Sequence, residues 1–213
     1  MKVIAEKMSS EGYIKFNCFR NEENIQIPEK VFQKLSKWRH TMFENGLIGV
    51  YTNGIGYGNI SVRARSNSFF ISGTATGKLN VLEEKHYAHV NSWSFAENSL
   101  QCSGMINASA ESLSHAAIYE TIPHVGAVIH IHHKGMWEKY INILPTTSTD
   151  VTYGSPEMAG EIQQIIRYIK PQQENLLVMG GHEEGIIAWG ESLDEAGEII
   201  LKYFKSFLQI LNS

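Results

Sequence analysis

The middle of the chain consists of short strand-like segments that follow one another closely, and this spacing limits the fold more than any other feature. Such segments lie at Ile60–Ala64 and Ser68–Ser72. Two more, Tyr87–Phe95 and Ser99–Ser103, bracket Glu97-Asn98, which predicts a hairpin turn. Parallel neighbours need a crossover of a dozen or more residues, so connections this short require antiparallel pairing. The sequence therefore predicts a mainly antiparallel sheet.

Helical patterns and further strands flank this region. Helices are predicted to start at Pro28, Ser109, Ser155-Pro156-Glu157 and Ser192. Ser109 can cap a helix that runs to about Glu120 and has Leu113, Ala117 and Ile118 on one face. The other predicted strands are Tyr13–Asn17, Val125–His132, Leu176–Met179 and Gly185–Trp189. Strands among flanking helices predict a layered α/β domain rather than a doubly wound parallel sheet.

Length, net charge and cysteine spacing exclude several classes of protein. The chain has 213 residues and is 43% hydrophobic, which supplies one sizeable core and predicts a single domain over residues 1–213. A net charge of -4 argues against general electrostatic binding to nucleic acid or to an anionic membrane. Cys18 and Cys102 lack CxxC spacing, which favours a reducing compartment over a disulfide scaffold or a thiolate zinc site. With no signal peptide or membrane-spanning run recognised, we expect a cytoplasmic protein.

Histidines provide the main candidates for chemistry. His130 and His132 are two apart in a predicted strand, so their side chains share a face and can bind one metal ion. Alternatively, both are hydrogen-bonded polar residues at a strand end. His133 points the other way. His182 follows Gly180-Gly181 at another strand end and could complete a three-histidine site with an open position, or could lie on a surface loop.

Several acidic and glycine-rich segments permit both a functional and an ordinary interpretation. Glu111 and His115 are four apart at a predicted helix start, where the carboxylate could be an acid/base or a partner of the helix dipole. Glu183 and Glu184 are interpreted as solvated charge. Gly56-Tyr57-Gly58 and Thr76-Gly77 could bind phosphate through backbone N–H groups or could be plain turns.

Taken in order, these motifs resemble the class II aldolase/adducin family. The resemblance extends from about Lys30 to about Phe207. It rests on Gly58-Asn59-Ile60-Ser61-Val62-Arg63, Ile71 through Gly77, Ala108-Ser109-Ala110-Glu111 with His115, Ala127 through His132, and His182-x-x-Gly185.

The resemblance implies a three-layer αβα fold around a central, mainly antiparallel sheet, assembled as a homotetramer. It implies a divalent metal ion, commonly Zn²⁺, bound by His130, His132 and His182. Glu111 is then the acid/base beside the metal, or a fourth ligand. The residues implied to surround a substrate phosphate are Asn59, Thr76, Gly77 and Ser109.

The activity that this implies is that of a metal-dependent lyase. Its substrate would be a small hydroxy-carbonyl compound such as a sugar phosphate, cleaved through a metal-stabilised enediolate. Epimerisation and dehydration on the same site remain alternatives. A tyrosine, among Tyr140, Tyr153 and Tyr203, could protonate the second fragment.

Two departures from the family pattern bear on the substrate. Ala110 stands where the family often has a second serine, and the turn at 72–77 is longer than the common form. Both put the phosphate in question and leave the three histidines intact. A non-catalytic scaffold like adducin is the rival from another class, but the adducin head lacks the metal ligands that are present here.

Overall fold

The computed structural model describes residues 13–65, 67–169 and 175–211, and these contain a large central sheet. Its strands and a separate short pair are β1 (Asn17–Asn21), β2 (Gly49–Val50), β3 (Gly56–Tyr57), β4 (Asn59–Arg63), β5 (Phe69–Ser72), β6 (Tyr87–Ser94), β7 (Ser99–Ser103), β8 (Ala127–His132), β9 (Leu176–Val178) and β10 (Gly185–Gly190). Eight of them form one sheet in the order β1-β7-β6-β5-β4-β8-β10-β9, while β2 pairs with β3. Neighbours in the large sheet are antiparallel except β1 and β7, which confirms the predicted mainly antiparallel sheet.

Helices cover both faces of the sheet. They are α1 (Glu29–Glu44), α2 (Ser112–Thr121), α3 (Lys134–Tyr140), α4 (Pro156–Tyr168) and α5 (Leu193–Leu211). One apolar core joins the sheet to α1, α3 and α5, and a second joins it to α2 and α4. The protein is therefore a three-layer αβα structure, as expected.

The first strand starts later than predicted. The sequence predicts a strand over Tyr13–Asn17, but β1 begins at Asn17, where its pairing with Ser99 of β7 starts. The segment before Asn17 makes other contacts: the Lys15 ammonium lies 3.6 Å from the centre of the Tyr153 ring. Alternation alone did not locate the strand because pairing with β7 sets its limits.

The start of α2 also differs from the prediction. Ser109 does not cap this helix; its carbonyl accepts the Ser112 N–H at 3.0 Å, and Glu111 occupies the N-cap position. The helix is buried from Ser112 to Tyr119 rather than on one face. A helix enclosed between a sheet and α4 loses the polar face on which the one-sided prediction depended.

Cys18 and Cys102 lie on the adjacent strands β1 and β7 as free thiols, with their sulfur atoms 3.7 Å apart. Within the described part of the chain, no helix has the length and apolar character needed to cross a bilayer.

Candidate metal and substrate site

Two of the candidate ligands come from β8, which lies between β4 and β10. Ile129 and Ile131 of this strand belong to the core on the α1, α3 and α5 side, so the alternate residues His130 and His132 face the opposite layer. Their Nε2 atoms are 3.0 Å apart, and both side chains are almost fully buried. The two imidazoles therefore lie on the same face of β8, as the sequence predicts.

His182 reaches this pair from the loop between β9 and β10. The His182 N–H donates to the Met179 carbonyl at 3.1 Å, and the Gly185 N–H donates to the His182 carbonyl at 2.8 Å, so the loop folds back on itself. A Cβ on Gly185 would collide with the His182 ring, so only glycine fits there. His182 Nε2 ends 2.8 Å from His132 Nε2, which excludes the surface-loop alternative.

The protonation of the three rings fits a metal ion. Burial lowers the pKa of His130 to about 4 and the pKa values of His132 and His182 well below their ordinary 6.5, so the rings are neutral near pH 7. His130 Nδ1 lies 3.1 Å from the Ile186 carbonyl, an acceptor, so Nδ1 carries the hydrogen and Nε2 keeps its lone pair.

One ligand nitrogen from each of the three rings lies within 4.8 Å of the others. Neutral imidazoles are good ligands for Zn²⁺, and three of them leave a position open for substrate. The donor set therefore fits a divalent ion.

Glu111 lies beside this cluster. Its side chain is buried, its Oε2 accepts the Ser114 hydroxyl at 2.7 Å, and its Oε1 is 3.8 Å from His182 Nδ1. Oε1 itself is buried without a hydrogen-bond partner among the described residues. Burial raises the pKa of Glu111 to about 7, despite an opposing effect of the Ser114 hydrogen bond. Such a group can exchange protons near neutral pH.

His115 lies one helical turn after Glu111 but has a different environment. Its Nδ1 is 2.7 Å from the Ser61 hydroxyl, which also lies 2.8 Å from the Tyr119 hydroxyl. These contacts lie between β4 and α2. His115 therefore belongs to a buried hydrogen-bonded group with Ser61 and Tyr119.

A pocket opens beside His130 and Glu111 and gathers the remaining candidates. Its lining includes Asn59, Thr76, Gly77 and Ser109 together with Gly56 and Gly58. Asn59 Oδ1 is buried there without a hydrogen-bond partner among the described residues. The Thr76 hydroxyl donates to the Gly73 carbonyl at 2.8 Å, which closes the long turn at 72–77. The structure thus brings to one region the metal ligands, the acid/base and the phosphate-binding residues that the resemblance implies.

The structure also separates the three tyrosines that the sequence left equivalent. Tyr153 lines the pocket, and its ring centre lies 4.6 Å from that of His182. Tyr140 and Tyr203 pack against each other, and the Tyr140 hydroxyl donates to the Tyr203 carbonyl at 3.1 Å. Nothing in the sequence indicated that Tyr153, rather than Tyr140 or Tyr203, lies at the pocket.

Glu184 is the residue that sequence reasoning misinterpreted. Instead of being only solvated, its carboxylate accepts a hydrogen bond from the Tyr51 hydroxyl at 2.7 Å, and the same hydroxyl lies 2.8 Å from His132 Nδ1. The neighbouring Glu183 is exposed, as predicted. Tyr51 was not a candidate, because its position just before the glycine-rich segment gives no indication of contact with β8.

An αβα domain of this kind, with three imidazoles at one end of its sheet, is similar to several solved aldolase structures. L-fuculose-1-phosphate aldolase from Thermus thermophilus has a TM-score of 0.63 at 18% identity, over 85% of this chain and 92% of that one. A sugar-phosphate aldolase from Thermotoga maritima has a TM-score of 0.58 at 15% identity, with coverages of 86% and 96%. The N-terminal class II aldolase domain of a conserved protein from Thermoplasma acidophilum has a TM-score of 0.54 at 12% identity, with coverages of 87% and 99%. At these identities the similarity establishes the fold alone.

A model of the class II aldolase and adducin N-terminal domain matches residues 33–205, and the chain belongs to this family. The resemblance found in the sequence is thereby confirmed. A search of curated proteins finds no match.

Proposed function

We propose that this protein is a divalent-metal-dependent lyase of the aldolase type, acting on a small hydroxy-carbonyl compound such as a sugar phosphate. The observation that carries the proposal is the convergence of three buried imidazoles next to a buried carboxyl group, whose pKa is raised by burial. A scaffold protein has no need for such a costly set of buried polar groups.

In this proposal His130, His132 and His182 bind the ion through their Nε2 atoms. Zn²⁺ is the ion that the ligand set favours. When bound, it supplies positive charge that stabilises the negative charge developing on the substrate oxygens as a C–C bond breaks. Ile186 holds His130 in the required tautomer through its carbonyl oxygen.

Glu111 moves the proton in this proposal. Its Oε1 has no hydrogen-bond partner among the described residues and is available to the substrate, while the Ser114 hydroxyl fixes Oε2. Without the ion, burial raises the pKa of Glu111 to about 7, and a bound cation would lower it, which favours the carboxylate that accepts the proton from the substrate and later returns it.

The phosphate end of the substrate would occupy the pocket beside His130. Asn59 and Ser109 offer side-chain polar groups, and the turn containing Thr76 and Gly77 also lines the pocket. Lys15, on the ring of Tyr153, adds a positive charge near this pocket that also favours an anionic substrate.

We further propose that the chain acts as one domain within a cytoplasmic homotetramer. The resemblance to the family supports this assembly. Light scattering that returns the monomer mass of 24.0 kDa at micromolar concentration would contradict it.

The proposal is tested by replacing one ligand. His132→Ala should remove most of the metal from protein purified without added metal and abolish aldol cleavage, because two imidazoles bind the ion far more weakly than three. The matched control is His124→Ala, since His124 is exposed and outside the site. Metal content per chain and cleavage of a panel of sugar phosphates and free hydroxy-carbonyl compounds are the measurements.

If His132→Ala retains one ion per chain, the ligand assignment is wrong. If the wild-type protein binds the ion and cleaves, epimerises or dehydrates none of the panel, the enzymatic proposal fails. Epimerisation or dehydration without cleavage would replace the lyase with the corresponding alternative.

A further inference from the structure

The Tyr51 hydroxyl lies between a predicted metal ligand and a carboxylate. It is 2.8 Å from His132 Nδ1 and 2.7 Å from Glu184 Oε2. Tyr51 and Glu184 are both partly buried, and they are 133 residues apart in the chain. The two contacts thus form a chain of hydrogen bonds from His132 outward, on the side of the ring opposite to Nε2.

Counting hydrogens fixes the direction of this chain. A phenol has one hydrogen, and an ionised carboxylate only accepts, so the Tyr51 hydroxyl donates to Glu184. The hydroxyl oxygen can then only accept from His132, which requires a hydrogen on Nδ1. A neutral imidazole with Nδ1–H has its lone pair on Nε2, the atom that faces His130 and His182.

Both partners are held in place by their surroundings. The Tyr51 N–H donates to the Ile55 carbonyl at 2.8 Å, and its ring centre lies 4.5 Å from that of Tyr57. Glu184 has a φ of +71°, and its carbonyl accepts the His133 N–H at 3.0 Å. A glutamate in this left-handed conformation is strained, and such strain is concentrated at functional sites.

We propose that Tyr51 and Glu184 are positioning residues that hold His132 as its Nδ1–H tautomer, with Nε2 turned toward the metal. The inference rests on the proposed metal site. It adds two residues, Tyr51 and Glu184, that do not bind the metal themselves but contact one of its ligands. Glu184 also places a negative charge behind a ligand of a cation, which strengthens binding of the cation. Removing either group should therefore weaken metal binding without removing a ligand.

The first experiment reads the tautomer directly in metal-free protein. NMR of the protein with ¹⁵N-labelled histidine should show His132 protonated at Nδ1 and bare at Nε2 in the wild type. Tyr51→Phe keeps the ring but loses the hydroxyl, and it should give a mixture of tautomers. Tyr140→Phe is the matched control, because its hydroxyl bonds to the Tyr203 carbonyl, and it should leave the His132 signals unchanged. Hydrogen at Nε2 of His132 in the wild type overturns the proposal.

The second experiment measures affinity for Zn²⁺ by competition with a chelator. Tyr51→Phe should bind about 10–100-fold more weakly than the wild type, as is typical for loss of an outer partner of a ligating histidine. Glu184→Gln should also weaken binding, whereas its neighbour Glu183→Gln, which is exposed, should bind within about twofold of the wild type. Equal weakening by the two glutamate variants would indicate a general charge effect and overturn the role of Glu184.

The two experiments separate this inference from the proposed function. If the wild type binds no Zn²⁺, the metal site fails, and the tautomer measurement still decides whether the pair orients His132. If the wild type binds Zn²⁺ and Tyr51→Phe binds it equally tightly with the same tautomer, the metal site stands and the positioning role is wrong.

Discussion

At the scale of the residue, Glu111 is a carboxyl group in surroundings that disfavour its charged form. Its carboxyl group is buried, and one of its oxygens has no hydrogen-bond partner among the described residues. Burial disfavours the charged form and raises the pKa from 4.5 to about 7. Ionised Glu111 is therefore unfavourable for the fold and useful for proton transfer, and these two consequences can be measured separately.

Glu111→Gln should preserve the shape of the site and lower kcat by roughly 10²–10⁴-fold, because the amide cannot accept a proton. A role restricted to the helix dipole would instead cost only about 0.3–1 kcal/mol of stability. Glu157→Gln is the matched control, since Glu157 lies in the first turn of α4 and is exposed. Near-normal kcat in Glu111→Gln would remove the acid/base role.

The stability of the same variant should depend on pH. The folded-state pKa of Glu111 is raised, so its contribution to stability is fully present below pH 4.5 and is lost as pH rises through about 7. A permanently neutral glutamine does not lose it. In metal-free protein, Glu111→Gln should therefore gain about 3 kcal/mol over the wild type between these pH values, as followed by chemical denaturation. A difference that does not change with pH would contradict the raised pKa.

At the scale of the element, α1 contributes a buried arginine that binds the loop lining the pocket. Arg39 is 2% exposed, and its guanidinium donates to backbone carbonyls of one loop, at 3.2 Å to Thr76 and Gly77 and at 2.7 Å to Leu79. A side chain buried in a helix thus holds the turn that lines the pocket. No motif indicated this, because an arginine within an amphipathic helix normally lies in solvent.

Arg39→Met keeps an unbranched side chain that can pack in the same place and removes the guanidinium donors. It should lower the free energy of unfolding by about 2 kcal/mol or more, since the loop carbonyls lose charged partners. Amide hydrogen exchange in residues 76–80 should rise, while metal content should be unchanged. Lys30→Met, at an exposed position of α1, should remain within about 0.5 kcal/mol of the wild type. Unaltered exchange in residues 76–80 would show that Arg39 does not hold the turn.

At the scale of the whole molecule, strand order explains which parts of the site the sequence could predict. Local pattern was enough for His130 and His132, because a period of two puts them on one face of β8. Local pattern was not enough for Glu184. Its contact with Tyr51 depends on how the loop before β10 packs against the segment before β4. In the sheet β8 lies between these two strands, with Asn59 opposite His130 and Gly185 opposite His132. Spacing along the chain carries little information about such neighbours, so the residues alone left His182 open between a third ligand and a surface loop, and the resemblance favoured the ligand.

The most direct test of the account is the position of the bound ion. Anomalous diffraction, at the absorption edge of whichever metal the purified protein contains, should give one peak per chain in contact with His130, His132 and His182. The expected distances from the peak to the three Nε2 atoms are about 2.0–2.1 Å if the metal is zinc. A peak bound elsewhere, or bound by fewer than three of these imidazoles in a fully occupied site, would contradict the account.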